Sequence, residues 1–327
     1  MPRVSARSAD RVWALFVRSD ARKLQRAFDC LARPCAIRAG FLCVLSLAVL
    51  QQDLTATSFV LVRVANQLYI GSDGFRVNSG TGKVRPHCKI TQIGNTVVLT
   101  WGLVQFGRVL PDGRVESHAF SDYWIPIAST PHETMFQKRD RLLVQARHLL
   151  RLQMEFLDHT ELKLLDRKRI AQGVVGVAFI SMKDGIPQIG AFELRVKNWK
   201  KRELETTNFP SASAWDWQVP HGFGNTQALR QVLSNSRECG FRRFVEFLGA
   251  ACSDPAGLRL QFQTAPVPFV DRVLKLQTEF TPHEVGPPYA VAVLSDSGLV
   301  WLENGACEAP LEIQPADSFH TVGGGLS

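Results

Sequence analysis

Residues 57–102 read TSFVLVRVANQLYIGSDGFRVNSGTGKVRPHCKITQIGNTVVLTWG, the pattern of consecutive short strands. Val60, Val62 and Val64 alternate with Leu61 and Arg63 in a run dense in β-branched residues, which suits a strand. Ala65, Asn66 and Gln67 supply a turn, and Leu68, Tyr69, Ile70 and Gly71 form the returning strand. Phe75, Arg76 and Val77 begin another, which the turn formers Asn78, Ser79, Gly80, Thr81 and Gly82 end. A strand over 89–93 turns at Gly94 and Asn95 into one over 96–102. Such a meander gathers residues from several strand ends at one edge of a sheet. Thr57, Asp73 and Lys89 lie along it, each sixteen positions from the next.

Those three residue types support a specific chemistry. A threonine hydroxyl is a weak nucleophile until a base takes its proton, and the α-amine of the same residue is one available base. A free α-amine titrates at about 7.7–8.0, close to working pH, so it accepts and returns a proton. A neighbouring lysine ammonium lowers the pKa of both amine and hydroxyl, and an aspartate holds that ammonium in place. Backbone N–H groups near Gly102 are candidate donors to the oxyanion of an acyl-transfer intermediate. The scheme requires Thr57 to be the first residue of the mature chain.

The stretch resembles the proteasome β-subunit family, the threonine branch of the N-terminal-nucleophile hydrolases. The family's spacing of nucleophilic Thr, Asp and Lys falls on Thr57, Asp73 and Lys89 without a gap, and Gly102 lies within one position of its oxyanion glycine. Ser72, Asp73 and Gly74 look most like the bacterial two-component proteases of that family. The resemblance implies an α+β fold, the four-layer αββα sandwich of these hydrolases. It also implies hydrolysis of a peptide or small amide through an acyl-enzyme ester, with Thr57, Asp73, Lys89 and Gly102 as catalytic residues. No cofactor is implied, and a homo-oligomer is compatible with it. The chain departs from the family at Phe75, where an Arg is common, and at Phe223, where a Ser often lies near the nucleophile. Pro282 and Val285 stand where the family places an Asp and a Ser. These departures open an alternative, a catalytically inactive proteasome-like subunit that assembles or binds.

Upstream, residues 40–50 are an almost unbroken apolar run preceded by Arg33 and Arg38, with the dimensions of a signal-peptide core rather than a membrane span. A core helix is the other reading. Cleavage after Ala56 would free Thr57, whether by a signal peptidase or by an N→O acyl shift, although the family's usual residue before the Thr is Gly. The chain thus divides into a leader over 1–56, with its signal-like segment at about 40–56, a domain over 57–309 and an exposed tail over 310–327. This organisation predicts an exported protein, with membrane anchoring through an uncleaved leader as the alternative.

Downstream, Thr130, Pro131 and Glu133 read as a capping box opening a helix that carries Leu142, Leu143, Ala146, Leu149, Leu150 and Leu157. Residues 173–181 and 188–196 pair around a turn at Lys183, Asp184 and Gly185. Arg195, Lys197, Lys200, Lys201 and Arg202 read as a solvated strand end. Gly222, Phe223, Gly224 and Asn225 precede a helix over 226–233, and apolar helices follow over 241–252 and 267–280. A strand over 285–294 turns at Asp296, Ser297 and Gly298 into a closing one.

Composition sets limits. With 327 residues, 45% of them hydrophobic, the chain has ample capacity for a core. Residues 1–56 carry nine basic residues against four acidic ones, a net +5 of the total +8. The body lacks basic–aromatic interleaving, which argues against nucleic acid as a partner. Cys88, Cys239, Cys252 and Cys307 lie in the body without metal-ligand spacing, and no disulfide can be assigned from them. Cys88, beside Lys89, is a second candidate nucleophile, or else an inert buried strand residue.

Overall fold

A short strand, β1 (Asp53–Thr55), leads to Thr57 and into β2 (Ser58–Val64). The computed structural model describes residues 53–55, 57–78, 84–110, 115–159, 174–234, 255–282, 285–305 and 307, all within the unit Gln51–Ser327. The apolar run at 40–50, the bond partner Ala56, the proposed helix at 241–252 and the tail at 310–327 lie outside the described residues.

After β2 come β3 (Gln67–Asp73), β4 (Phe75–Asn78), β5 (Val84–Pro86), β6 (Ile90–Ile93), β7 (Thr96–Leu103), β8 (Gln105–Val109) and β9 (Val115–Ala119). Two helices follow, α1 (Ser121–Ser129) and α2 (Met135–His159), then β10 (Val174–Lys183), β11 (Ile186–Asn198), β12 (Glu203–Asn208) and β13 (His221–Gly224). The chain continues through α3 (Gln227–Ser234), α4 (Pro255–Thr264), α5 (Pro266–Phe280), β14 (Tyr289–Ser295) and β15 (Gly298–Glu303). The class is α+β, with antiparallel sheets and few helices.

An eight-stranded sheet runs β12-β11-β10-β7-β1-β4-β5, with β6 also paired to β7, and a five-stranded sheet runs β13-β2-β3-β14-β15. The period-2 pattern of β2 explains how the two meet. Phe59 and Leu61 point one way, into a core that also holds Ile90, Val97, Leu99 and Trp101 of the larger sheet. Val60 and Val62 point the other way and pack with Phe269, Val270, Val273 and Leu274 of α5 and with Ala228 and Leu229 of α3. On the larger sheet α2 packs against β10 and β11 with Leu142, Ala146, Leu149 and Leu150 buried.

The helix start at 130–133 is corrected by the structure. Thr130 is the C-cap of α1, and the capping box lies one turn on. Thr134 Oγ1 accepts from Gln137 N–H at 3.2 Å, while Gln137 Oε1 accepts from Thr134 N–H at 2.8 Å.

One end of the structure is pinned by its turns. Arg63 Nη2 donates to Gly185 O at 3.1 Å, and Gly185 N–H donates to Asp296 Oδ2 at 2.8 Å. The β2–β3, β10–β11 and β14–β15 turns are thereby joined, and the opposite strand ends are those that carry Thr57 and Asp73.

Trp101 is the largest side chain of the shared core beside that second end. It stacks on Phe223 with ring centroids 5.1 Å apart, and its Nε1 donates to Glu193 Oε2 at 3.1 Å. Gly176 lies under the ring, so that a methyl built there would sit 1.8 Å from a ring carbon. Gly176→Ala is therefore expected to cost about 1–3 kcal/mol through overpacking, read as a lower thermal or urea midpoint. An unchanged midpoint would show that the indole does not pack over β10.

Candidate active site

Asp73 ends β3 with no side-chain exposure, and Lys89 lies just before β6 at 2%. Lys89 Nζ meets Asp73 Oδ2 at 2.7 Å. Asp73 Oδ1 accepts the backbone N–H of Ser58 at 2.8 Å. One carboxylate thus holds both the lysine and the residue directly after Thr57. Two charges this deep are retained only when paired and hydrogen-bonded. Burial lowers the pKa of the Lys89 ammonium from its ordinary value, and the Asp73 carboxylate works against that shift.

Thr57 is itself 2% exposed at the entry to β2. Its carbonyl oxygen accepts from Asn225 N–H at 2.7 Å. That contact needs the glycine before it: Gly224 has φ +71°, and a Cβ there would lie 2.1 Å from Thr57 O. The Gly-x-Gly turn of the sequence therefore acts as a backbone clasp on Thr57, and Phe223 between its glycines is a core aromatic stacked on Trp101.

Gly102 lies in β7 with φ +87°. Its ladder partners are Val175 on one side and Thr55, two residues before Thr57, on the other. Along that second side, β6 pairs with Thr96 to Leu99, Lys89 O accepts from Thr100 N–H at 3.4 Å, and β1 takes Gly102 and Leu103. Thr57, Asp73, Lys89 and Gly102 are thus brought to one end of the two sheets. Lys89, Asp73 and the Ser58 N–H form one hydrogen-bonded run that ends beside Thr57, and Gly102 enters through its register with β1.

Strand β1 is an addition that sequence reading did not supply. Asp53 pairs with Asn78, Leu54 with Val77 and Leu103, and Thr55 with Gly102, all antiparallel. The segment preceding Thr57 lies as an extended strand between β4 and β7.

A second missed feature is covalent. Cys88 and Cys307 form a disulfide across 219 positions of sequence. Cys88 is therefore neither a thiol nucleophile nor part of a strand, since it precedes β6. On the same loop His87 N–H donates to Gly74 O at 2.9 Å, so Lys89 is held by a backbone bond and a disulfide on its N-terminal side. Residue spacing could not reveal a pairing that is made by β15 delivering Cys307.

Among the described residues, no group of three His, Cys, Asp or Glu side chains is placed to hold a metal ion. No described helix is long and apolar enough to cross a membrane. Comparison with protein-family models and with curated proteins finds no match to this chain.

The buried pair generates a test that is independent of activity. Lys89→Met leaves the Asp73 carboxylate buried without its cation and is expected to cost about 3–5 kcal/mol, most of it recovered in Asp73→Asn/Lys89→Met. Urea unfolding of the single and double variants measures the coupling. Additive effects would show that the two side chains do not meet.

Proposed function

We propose that the chain is a threonine-nucleophile amide or peptide hydrolase of the proteasome β-subunit type, active once the N-terminus is freed at Thr57. The observation that carries the reading is the Asp73 carboxylate shared between Lys89 and the Ser58 N–H beside Thr57. The arrangement of helices, two sheets sharing a core and further helices supports the four-layer αββα sandwich that this family implies.

In the proposed reaction the Thr57 hydroxyl adds to the substrate carbonyl carbon while the α-amine takes its proton. The C–N bond of the amide then breaks and its nitrogen leaves protonated, giving an ester on Thr57 that water hydrolyses. Lys89 tunes the amine, Asp73 holds Lys89, and the backbone at Gly102 supplies the oxyanion donor. Release of Thr57 is performed by a signal peptidase or by an N→O acyl shift. In the shift its hydroxyl adds to the Ala56 carbonyl carbon and gives its proton to solvent, because the amine is still an amide. The Ala56–Thr57 C–N bond breaks with protonation of the nitrogen to free the α-amine, and water hydrolyses the resulting ester. The extended leader strand between β4 and β7 supports a peptide substrate, since a departing β1 exposes two strand edges for backbone pairing. The disulfide Cys88–Cys307 supports export to an oxidising compartment.

The same leader strand favours a second reading, a non-cleaving subunit that keeps residues 53–55 as a permanent part of its sheet. Phe223, Pro282 and Val285 at the family's accessory positions agree with it. Mass spectrometry of the mature N-terminus separates the two, because an intact bond before Thr57 excludes the enzyme.

Two activity measurements test the hydrolase. Thr57→Ala is expected to abolish both amide hydrolysis and acylation by a peptidyl β-lactone, while the wild type gains the mass of one lactone. Persistent labelling in the variant would place the nucleophile elsewhere. The pH–rate profile is expected to rise as the α-amine loses its proton, at or below about 7.7–8.0 because the ammonium of Lys89 opposes a second positive charge. It is expected to fall as Lys89 deprotonates, and because burial lowers that pKa the fall begins below 10.5. A rate still climbing past that point would remove the ammonium from the mechanism.

A further inference from the structure

The backbone clasp on Thr57 is one end of a longer, partly buried network. Asn225, whose N–H holds the Thr57 carbonyl, turns its side chain toward Gln277 of α5, a fully buried neutral amide on an otherwise apolar helix face. Gln277 Nε2 donates to Asn225 Oδ1 at 3.0 Å and to Thr281 Oγ1 at 3.1 Å. Gln277 Oε1 accepts the N–H of Ala228, in the first turn of α3, at 2.7 Å. Asn225 Oδ1 also receives the N–H of Gln227 at 3.4 Å, and its Nδ2 reaches Thr281 Oγ1 at 3.5 Å.

The run continues past α5. Val285 N–H donates to Thr281 O at 3.0 Å, and Gly74 N–H donates to Gly286 O at 3.2 Å, next to Asp73. The network therefore leaves Thr57 through its carbonyl and returns to it through Gly74, Asp73 and the Ser58 N–H. Every side-chain group of Gln277 has a partner, and none of Asn225, Gln277 and Thr281 titrates. Each hydrogen bond adds a direction as well as energy, so the pose of a buried amide with such partners is narrowly set.

We propose that Gln277, acting through Asn225 and Thr281, is a positioning residue that fixes the backbone of Thr57 and so the aim of its hydroxyl and α-amine. This rests on the hydrolase reading above and deepens it. Pro282 directly follows Thr281, and Val285 supplies an N–H to this run, and these are two of the positions where the resemblance places an Asp and a Ser. A reacting group displaced by even part of an ångström loses rate while substrate affinity, set elsewhere, is retained.

The test uses full-length processed protein and a peptidyl β-lactone, with acylation followed by intact mass per mole of folded chain. Gln277→Met keeps volume and removes every polar contact. It is expected to lower the maximal acylation rate by on the order of tenfold or more, with the half-saturating lactone concentration unchanged. Thr281→Val, which removes one acceptor, serves if Gln277→Met does not fold, and is expected to lower the maximal rate by about threefold. A purely structural role would lower the melting temperature and leave the rate per folded molecule at the wild-type value in Gln277→Met, or in Thr281→Val where that variant stands in. That result overturns the clamp and spares the hydrolase. A wild-type chain that carries a free Thr57 and is never acylated overturns both.

Discussion

Two opposite charges with almost no access to water, Asp73 and Lys89, set the terms for the rest of the structure. Each would cost several kcal/mol to bury alone, so their contact at 2.7 Å is a condition of the fold as much as of any reaction. Asp73 must end β3, and Lys89 must directly precede β6. Ser58 must offer its N–H to the other oxygen of the Asp73 carboxylate. Those requirements fix the register of the β2–β3 hairpin against the β6–β7 hairpin, which belongs to the other sheet. The ion pair is thus a stitch between sheets, and the disulfide to Cys307 adds a second constraint on the same loop.

The two ends of the strands are built differently. At one, Arg63, Gly185 and Asp296 knot three turns together with bonds between charged or backbone groups. At the other, buried polar groups are satisfied by a run that threads Asn225, Gln277, Thr281 and Gly286. The turns are tied at the first end, and the second carries the polar groups that the proposed chemistry uses.

The parts legible in the sequence are those governed by local rules. Alternation across residues 60–64 marked β2 and its hairpin, and Asp184 with Gly185, both at positive φ, marked the β10–β11 turn. The sixteen-residue spacing marked Asp73 and Lys89, which do meet. The helix start at Thr130 was misplaced because Thr134 and Gln137 satisfy the same capping pattern. The preceding helix, α1, was not anticipated, and it carries Pro126 in its interior. The rest depends on partners distant in sequence. Cys88 finds Cys307 only after β15 is in place, β1 is a strand because β4 and β7 flank it, and nothing in the helical pattern marks Gln277 until α3 is seen to need its amide.

Strand β1 also decides how continuous the larger sheet is. Among the described residues, β4 and β5 join the remainder of that sheet only through β1. Withdrawing three residues would divide it into a five-stranded slab and a two-stranded ribbon. A lone ribbon of that size is marginal in water. Its order would then be borrowed from whatever extended chain next fills the gap, so the rim beside Thr57 would tighten and slacken with each occupant.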